Sequence, residues 1–322
     1  MSSLARTLQE QLAVDEISTG QYVSRLPPEN MANVANIIYG GCTVGVAIAA
    51  AYQIMKPGYH LYTAMGNYLG PALTDRKLFI RVQSVRDTRT FATRQVLVSQ
   101  KRDGHQERRP CLTALIDFQL AEKKSLLTYS APPAMVYAAP ESLRNVEQID
   151  EHSVTSGEAS PELINLLAMG ASLMRRVFDI RPSPEEVMHQ NLLGRLKTPT
   201  TQGHLTLTER KTGDYFKTKY KLDSRGEQVV GVGFLLDGSL SFTLLAHSSM
   251  SLEVAGACSS LDFVLRLLVN DVALNEWHFR ENKTIVGGDG RTYSEARLWD
   301  KEGRMVANMT QKCILRPNRP NL

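Results

Sequence analysis

The sequence predicts an α+β fold built from two repeats, each with a long central helix wrapped by an antiparallel β-sheet. Three observations support this prediction. The 322 residues suffice for two domains of about 150 residues each. Each half contains one long apolar helical segment, followed by alternating segments rich in β-branched and aromatic residues. These segments recur in the same order, which indicates two copies of one unit.

Two segments with few polar residues predict the central helices. They span about residues 39–55 and about residues 228–247. Neither has a polar face of normal width, so each helix should be surrounded by other structure. Glycines inside them, such as Gly45 and Gly233, each cost roughly 1 kcal/mol in a helix interior. They indicate close approach of a sheet or a ligand.

Strands are expected after each helix. The first half predicts them at residues 78–85, 90–99 and 112–120, and the second at 260–269, 276–283, 292–299 and 305–315. Charged turns starting at Lys101 and Asp300 occupy corresponding places. A stretch rich in proline and serine separates the halves. We therefore expect an N-terminal repeat over residues 1–135, a linker over 136–160 and a C-terminal repeat over 161–322.

The composition excludes several classes of protein. With 43% apolar and 22% charged residues, the chain is typical of a soluble globular protein. A net charge of +4 does not imply a nucleic-acid partner, and no apolar run reaches the roughly 18 to 20 residues of a membrane helix. The cysteines lack paired spacing, so we expect reduced thiols in an intracellular compartment and no metal site.

The two halves differ at polar positions. Superposing the predicted helices places Asp237 opposite Ala49, and superposing the last strands places Gln311 opposite Ile116. A carboxylate in so apolar a segment is costly unless it is hydrogen-bonded or borders a wet cavity. We interpret both residues as functional. The alternatives are that Asp237 caps the following segment or faces a solvated groove, and that Gln311 lies at the rim of the sheet.

Other motifs are weaker. Ser260 lacks the Gly-x-Ser-x-Gly context of a serine hydrolase, and serines in strands usually satisfy their hydroxyl locally. The run Gly287-Gly288-Asp289-Gly290 lacks the strand-to-helix context of a phosphate-binding loop. It predicts a hairpin turn.

Several motifs follow one another in the order of a known family. The run that starts at Tyr39 (YGGCTVGVA) is similar to an aromatic-Gly-Gly helix start, and Tyr68-Leu69-Gly70-Pro71 is similar to a Phe-Leu-Arg-Pro strand. The second half adds Ser259-Ser260-Leu261-Asp262, Asn275-Glu276-Trp277, Arg297-Leu298-Trp299 and Thr310-Gln311. On these residues the chain resembles the type II acyl-CoA thioesterases, which are double-hotdog enzymes, and we expect a eukaryotic member.

The resemblance implies a double-hotdog fold and hydrolysis of acyl-CoA, or a related acyl thioester, to the free acid and thiol. It assigns a triad to the second repeat, which corresponds to Asp237, Ser260 and Gln311. Asp237 would act as the base on a water molecule that Ser260 and Gln311 orient. No metal or organic cofactor is required. The mildly basic surface suits the phosphates of CoA.

Three departures from the family pattern keep other functions open. Cys42 replaces Gln, Gly70 replaces Arg, and Phe263 replaces His. One alternative is a dehydratase, isomerase or cyclase that acts on a polyketide-like intermediate in secondary metabolism. Another is a protein that binds acyl thioesters without catalysis.

The resemblance also suggests an assembly and a location. Double-hotdog proteins commonly associate further, so we expect a homo-oligomer without membrane insertion. The last three residues are Pro-Asn-Leu rather than a Ser-Lys-Leu type of peroxisomal address. We therefore expect the cytoplasm rather than the peroxisome.

Overall fold

A computed structural model of the chain describes residues 4–31 and 35–318. The last three residues, on which the expected cytoplasmic location rests, lie outside the described residues. The helices are α1 (Leu8–Leu12), α2 (Gly40–Gln53), α3 (Val146–Thr155), α4 (Pro161–Gly170), α5 (Ser172–Val177), α6 (Val187–Gln190), α7 (Arg225–Asp237) and α8 (Thr243–His247). In the described ranges, no helix combines the length and the apolar character needed to cross a membrane.

The strands form one antiparallel sheet of 13 strands, in the order β1-β2-β4-β5-β6-β3-β10-β13-β12-β11-β8-β7, with β9 paired to β13. They are β1 (Val14–Ser18), β2 (Gln21–Ser24), β3 (Tyr59–Tyr68), β4 (Phe79–Asp87), β5 (Phe91–Lys101), β6 (Arg108–Leu120), β7 (Phe178–Pro182), β8 (Thr212–Thr218), β9 (Ala255–Ser260), β10 (Asp262–Leu267), β11 (His278–Gly288), β12 (Arg291–Trp299) and β13 (Met305–Pro317). The two halves meet where β3 pairs with β10. The predicted α+β architecture of two helix-wrapping repeats is confirmed.

The long helices α2 and α7 pack against each other in opposite directions. A Cβ atom at Gly41 would lie 2.7 Å from the carbonyl oxygen of Phe234, and one at Gly233 would lie 2.8 Å from the side chain of Ile48. The neighbour of Gly41 is backbone that cannot move aside, whereas at Gly233 the end of the Ile48 side chain would have to shift. At Gly233 the close approach therefore comes from the other long helix, whereas at Gly45 it comes from the side chain of Leu12 in α1, 2.8 Å from a Cβ atom built there. Neither neighbour is a sheet or a ligand.

The second central helix is shorter than the sequence predicted. It begins with a capping box between Ser224 and Glu227 and ends at Asp237, so the expected helix up to residue 247 is wrong. Ser239 has a φ angle of 79°, in the left-handed region that breaks the helical path. The guanidinium group of Arg280 donates to the carbonyl oxygens of Leu235 and Gly238, each at 3.1 Å. These bonds satisfy carbonyl groups at the helix end.

The hairpin between β11 and β12 confirms the turn predicted there. Asp289 and Gly290 have φ angles of 50° and 69°, as a two-residue hairpin turn requires.

The predicted linker contains α3. Just before it, the backbone oxygen of Ala131 accepts from the indole of Trp299 at 2.8 Å, so the chain lies against the second repeat. The boundaries of the two repeats stay a prediction.

Candidate active site

Asp237 lies at the C-terminal end of α7, where this helix meets the N-terminus of α2. Its side chain is 6% exposed. The Oδ1 atom accepts a hydrogen bond from the Tyr68 hydroxyl at 2.7 Å and another from Nε2 of Gln311 at 2.5 Å. The backbone amide of Gly41 donates to the same carboxylate. Donors from both repeats therefore hold this buried group.

Gln311 connects Asp237 to Ser260. Because a carboxylate can only accept, the amide nitrogen of Gln311 must face Asp237, which leaves its Oε1 atom free to accept. Ser260 donates to this Oε1 at 3.1 Å. In the described part of the chain, Ser260 is thus joined to Asp237 through Gln311. The structure brings the three residues named from the sequence into one hydrogen-bonded chain.

The register of the strands explains this arrangement. Ser260 is the last residue of β9 and lies opposite Cys313 of β13. Gln311 lies two residues before Cys313 and therefore points to the same face of the strand. This face turns toward α7, whose last residue is Asp237. Two adjacent strands and one helix end thus converge at a single point.

The surroundings of Asp237 suit a general base. Burial raises the pKa of its carboxyl group to about 6, while hydrogen bonds from Tyr68, Gln311 and Gly41 act in the lowering direction. The group is therefore ionised at neutral pH but keeps a proton affinity useful for catalysis.

Gly40 makes this position of the carboxylate possible. A Cβ atom at Gly40 would lie 2.8 Å from Oδ2 of Asp237 and 3.0 Å from the Tyr68 hydroxyl. The positive end of the α2 dipole also favours a carboxylate there. Asp237 thus faces the start of a helix in the other repeat and does not cap the segment that follows it.

Two residues around Asp237 were not predicted from the sequence as site residues. Tyr68 stands where the family pattern has phenylalanine. Its additional hydroxyl group was the one feature of the sequence that could have indicated a role in the site. Arg280 forms a two-pronged ion pair with Asp214, at 3.1 and 2.8 Å, and holds the end of α7 by the bonds described above. The residues two positions away on β11, His278 and Asn282, are also polar, so no local pattern distinguishes Arg280.

The three departures from the family pattern have different relations to the site. The Cys42 thiol lies 3.9 Å from the carbonyl oxygen of Glu29, and Gly70 follows the end of β3. Phe263 is 1% exposed and packs its ring against Tyr68, with centroids 6.0 Å apart. Cys42 directly follows Gly41, whose amide donates to Asp237, and Phe263 contacts Tyr68, so two of the three departures adjoin residues bonded to Asp237. Phe263 makes an apolar wall beside Tyr68.

Replacing Tyr68 with phenylalanine should shift the pH dependence of activity. The change removes a donor that stabilises ionised Asp237, so the pKa of this carboxyl rises. We expect the acidic midpoint of kcat/KM against pH to move upward by about one unit, since a hydrogen bond to a charged group is worth about 1.5 kcal/mol or more. The control is Tyr62→Phe on the same strand, whose ring packs against Phe91. An unchanged midpoint in Tyr68→Phe would contradict the assignment.

Comparison with known proteins gives two family matches. The model of the acyl-CoA thioesterase N-terminal domain matches residues 27–119, and that of the acyl-CoA thioesterase C-terminal domain matches residues 176–315. No curated protein matches the chain. The site described above includes residues from both matched segments.

Solved structures share the fold over nearly the whole chain. Acyl-CoA thioesterase II TesB2 from Mycobacterium marinum has a TM-score of 0.66 and 17% identity, covering 97% of this chain and 99% of its own. A tesB protein from Mycobacterium avium subsp. paratuberculosis has a TM-score of 0.69 and 16% identity, covering 96% and 98%. The dehydratase domain of RzxB from Pseudomonas fluorescens has a TM-score of 0.50 and 10% identity, covering 97% and 100%. The predicted double-hotdog fold is confirmed.

Proposed function

The chain belongs to the acyl-CoA thioesterase family, and we propose that it hydrolyses acyl-CoA, or a related acyl thioester, with a water molecule activated by Asp237. One observation carries the proposal. A buried carboxylate with a pKa of about 6 accepts a hydrogen bond from Gln311, which in turn accepts one from Ser260. This arrangement supplies a base and polar groups that orient its water molecule.

The proposed reaction needs no group beyond the side chains and water. Asp237 removes a proton from the water molecule while the oxygen of that water attacks the carbonyl carbon of the thioester. The tetrahedral intermediate collapses with cleavage of the carbon–sulfur bond, and the sulfur takes up the proton. The products are the free acid and the thiol.

Gln311 and Ser260 are proposed to position the base and the water. The amide of Gln311 fixes the orientation of the Asp237 carboxylate. The Ser260 hydroxyl donates to Gln311 and keeps lone pairs that can accept a proton of the water. Holding the water in one orientation lowers the entropic part of the barrier.

The start of α2 is proposed to favour the charge that develops during attack. Gly40 and Gly41 place the positive end of this helix next to Asp237. Negative charge near a helix N-terminus is stabilised by its dipole. The proposal therefore uses both repeats, since α2 belongs to the first and Asp237 to the second.

Release of free thiol from acyl-CoA tests the proposal. Purified protein should release CoA thiol from at least one member of a series from acetyl-CoA to palmitoyl-CoA, and hydrolysis in ¹⁸O-labelled water should place the label in the acid. Asp237→Ala and Gln311→Ala should each reduce the release by at least about 10²-fold. A product that keeps its thioester while gaining a double bond or a ring would favour the dehydratase, isomerase or cyclase alternative. Binding without any turnover would favour a non-catalytic acyl-thioester-binding protein.

A further inference from the structure

Buried polar side chains extend across the second repeat from Gln311. Thr284 of β11 lies directly opposite Ser294 of β12, and Ser294 lies opposite Gln311 of β13. Because Gln311 points toward α7, its partners on the neighbouring strands point to the same face. Ser294 and Gln311 are 0% exposed and Thr284 is 2% exposed. A continuous polar row thus crosses three strands and ends at the candidate active site.

Two further residues widen this row. Asn282 lies two positions from Thr284 on β11, and Thr292 lies two positions from Ser294 on β12, so both point to the same face. We call the following four residues the polar strip: Asn282, Thr284, Thr292 and Ser294. Within residues 4–31 and 35–318, the side-chain polar atoms of the strip have no hydrogen-bond partner. Buried polar groups are normally hydrogen-bonded, so the strip calls for a ligand or water that pairs with it.

The fold does not require polar residues at two of the four strip positions, whereas Thr284 and Ser294 correspond to the polar residues Ser84 and Arg94 of the first repeat. When Gln311 is aligned with Ile116 and the strand register is followed, Asn282 corresponds to Val82 and Thr292 to Ala92. Both first-repeat residues are buried and apolar. At these two positions, only the second repeat, which also carries Asp237, places amide or hydroxyl groups inside.

A surface groove leads to the strip. It has a volume of about 310 Å³, near the lower end of the range for ligand sites, and lies between α8 and the hairpin of β11 and β12. Thr284 and Thr292 line it together with Leu244 and Leu315. The groove therefore connects solvent with the two threonines of the strip.

We propose that the polar strip binds the acyl chain of the substrate and that this chain carries hydroxyl or carbonyl oxygens. The inference rests on the proposed hydrolysis, with the reacting carbonyl next to Asp237 and Gln311. An acyl chain that runs across the strands then passes Ser294 one strand away from Gln311, about 5 Å, and Thr284 two strands away, about 10 Å. Oxygens on the chain pair with the strip, whereas a plain alkyl chain leaves these groups unpaired.

Matched substrates test this proposal by hydrolysis. The wild type is compared on octanoyl-CoA and on hydroxyoctanoyl-CoA isomers whose hydroxyl lies on the third, fifth or seventh carbon. We expect kcat/KM to be at least about tenfold higher for one of the isomers, because a site built to hydrogen-bond an oxygen discriminates against its absence. The double variant Thr284→Val with Ser294→Ala should lose this preference for the hydroxylated isomer. Ser153→Ala, which alters a buried serine of α3 outside the strip, is the control.

Binding of non-hydrolysable thioethers separates the two proposals. Octyl-CoA and the hydroxyoctyl-CoA isomers are titrated calorimetrically into the wild type and the double variant. If octanoyl-CoA is hydrolysed but no isomer is preferred in either assay, the strip does not bind the acyl chain and the hydrolysis proposal stands. If a hydroxylated thioether binds the wild type more tightly than the double variant while no thioester is cleaved, the strip binds the acyl chain and the hydrolysis proposal is overturned. If no thioether binds and no thioester is cleaved, both proposals are overturned.

Discussion

Asp237→Asn should lower kcat by about 10²- to 10⁴-fold, the range typical for the loss of a general base, with a smaller change in KM. The asparagine amide has nearly the same shape as the carboxyl group but cannot accept the proton of the attacking water. Steady-state thiol release at pH 8 measures the effect. Asp223→Asn, which changes an exposed carboxylate just before α7, is the matched control. A variant at residue 237 that keeps the wild-type kcat would rule out the proposed base.

The stability of the same variant separates lost chemistry from lost folding. The pKa of Asp237 is raised from 3.8 to about 6 in the folded protein, so its ionisation opposes folding as the pH rises through this interval. Two pH units correspond to about 3 kcal/mol. Asp237→Asn should therefore be more stable than the wild type at pH 8, by up to about this amount. The difference should shrink toward pH 4, which denaturant titrations at several pH values measure.

Gln311→Leu should lower kcat/KM by about 10²-fold, the size of effect expected when a reacting group is misplaced by about 1 Å. Leucine fills a similar volume but removes both the donor to Asp237 and the acceptor for Ser260. The pKa of Asp237 should also rise, because a hydrogen bond that lowers it is lost. The acidic midpoint of the pH profile should therefore move upward as well.

A double-mutant cycle tests whether Ser260 acts through Gln311. Ser260→Ala alone should reduce kcat/KM less than Gln311→Leu, since the bond between Gln311 and Asp237 survives. Adding Ser260→Ala to Gln311→Leu should cost little more, because interacting residues give non-additive effects. Fully additive losses would mean that Ser260 contributes independently of Gln311.

Local patterns predicted β4 to β6 and β10 to β13, but they missed β1 to β3, β7, β8 and the end of the second central helix. Strand alternation located the hairpin of β11 and β12, and Asp289-Gly290 forms its turn. In contrast, apolar residues continue beyond Asp237 through Leu240 and into α8, so periodicity gives no stop signal. The helix end is stabilised by Arg280, which is 43 positions away from Asp237 in the sequence and contacts the helix only in the folded chain.

Only part of the candidate site could be predicted from the sequence, because the remaining residues contact Asp237 only in the folded chain. Comparing equivalent positions of the two halves reveals polar residues that the second repeat has in place of apolar ones, and this identified Asp237 and Gln311. It cannot reveal what the first repeat contributes, because Gly41 of α2 and Tyr68 of β3 meet Asp237 only where the two repeats pack together. Contacts between the repeats have no signature in either repeat alone.

This sharing of the site between repeats bears on the order of events during synthesis. Tyr68 and Gly41 leave the ribosome well before Asp237 and Gln311, so the hydrogen bonds around the carboxylate form only after almost the entire chain has been made. Long-range contacts of this kind form late in folding. We therefore expect truncated or half-folded chains to lack the hydrogen bonds around Asp237, so that acyl thioesters in the cell meet the complete site only once both repeats have docked.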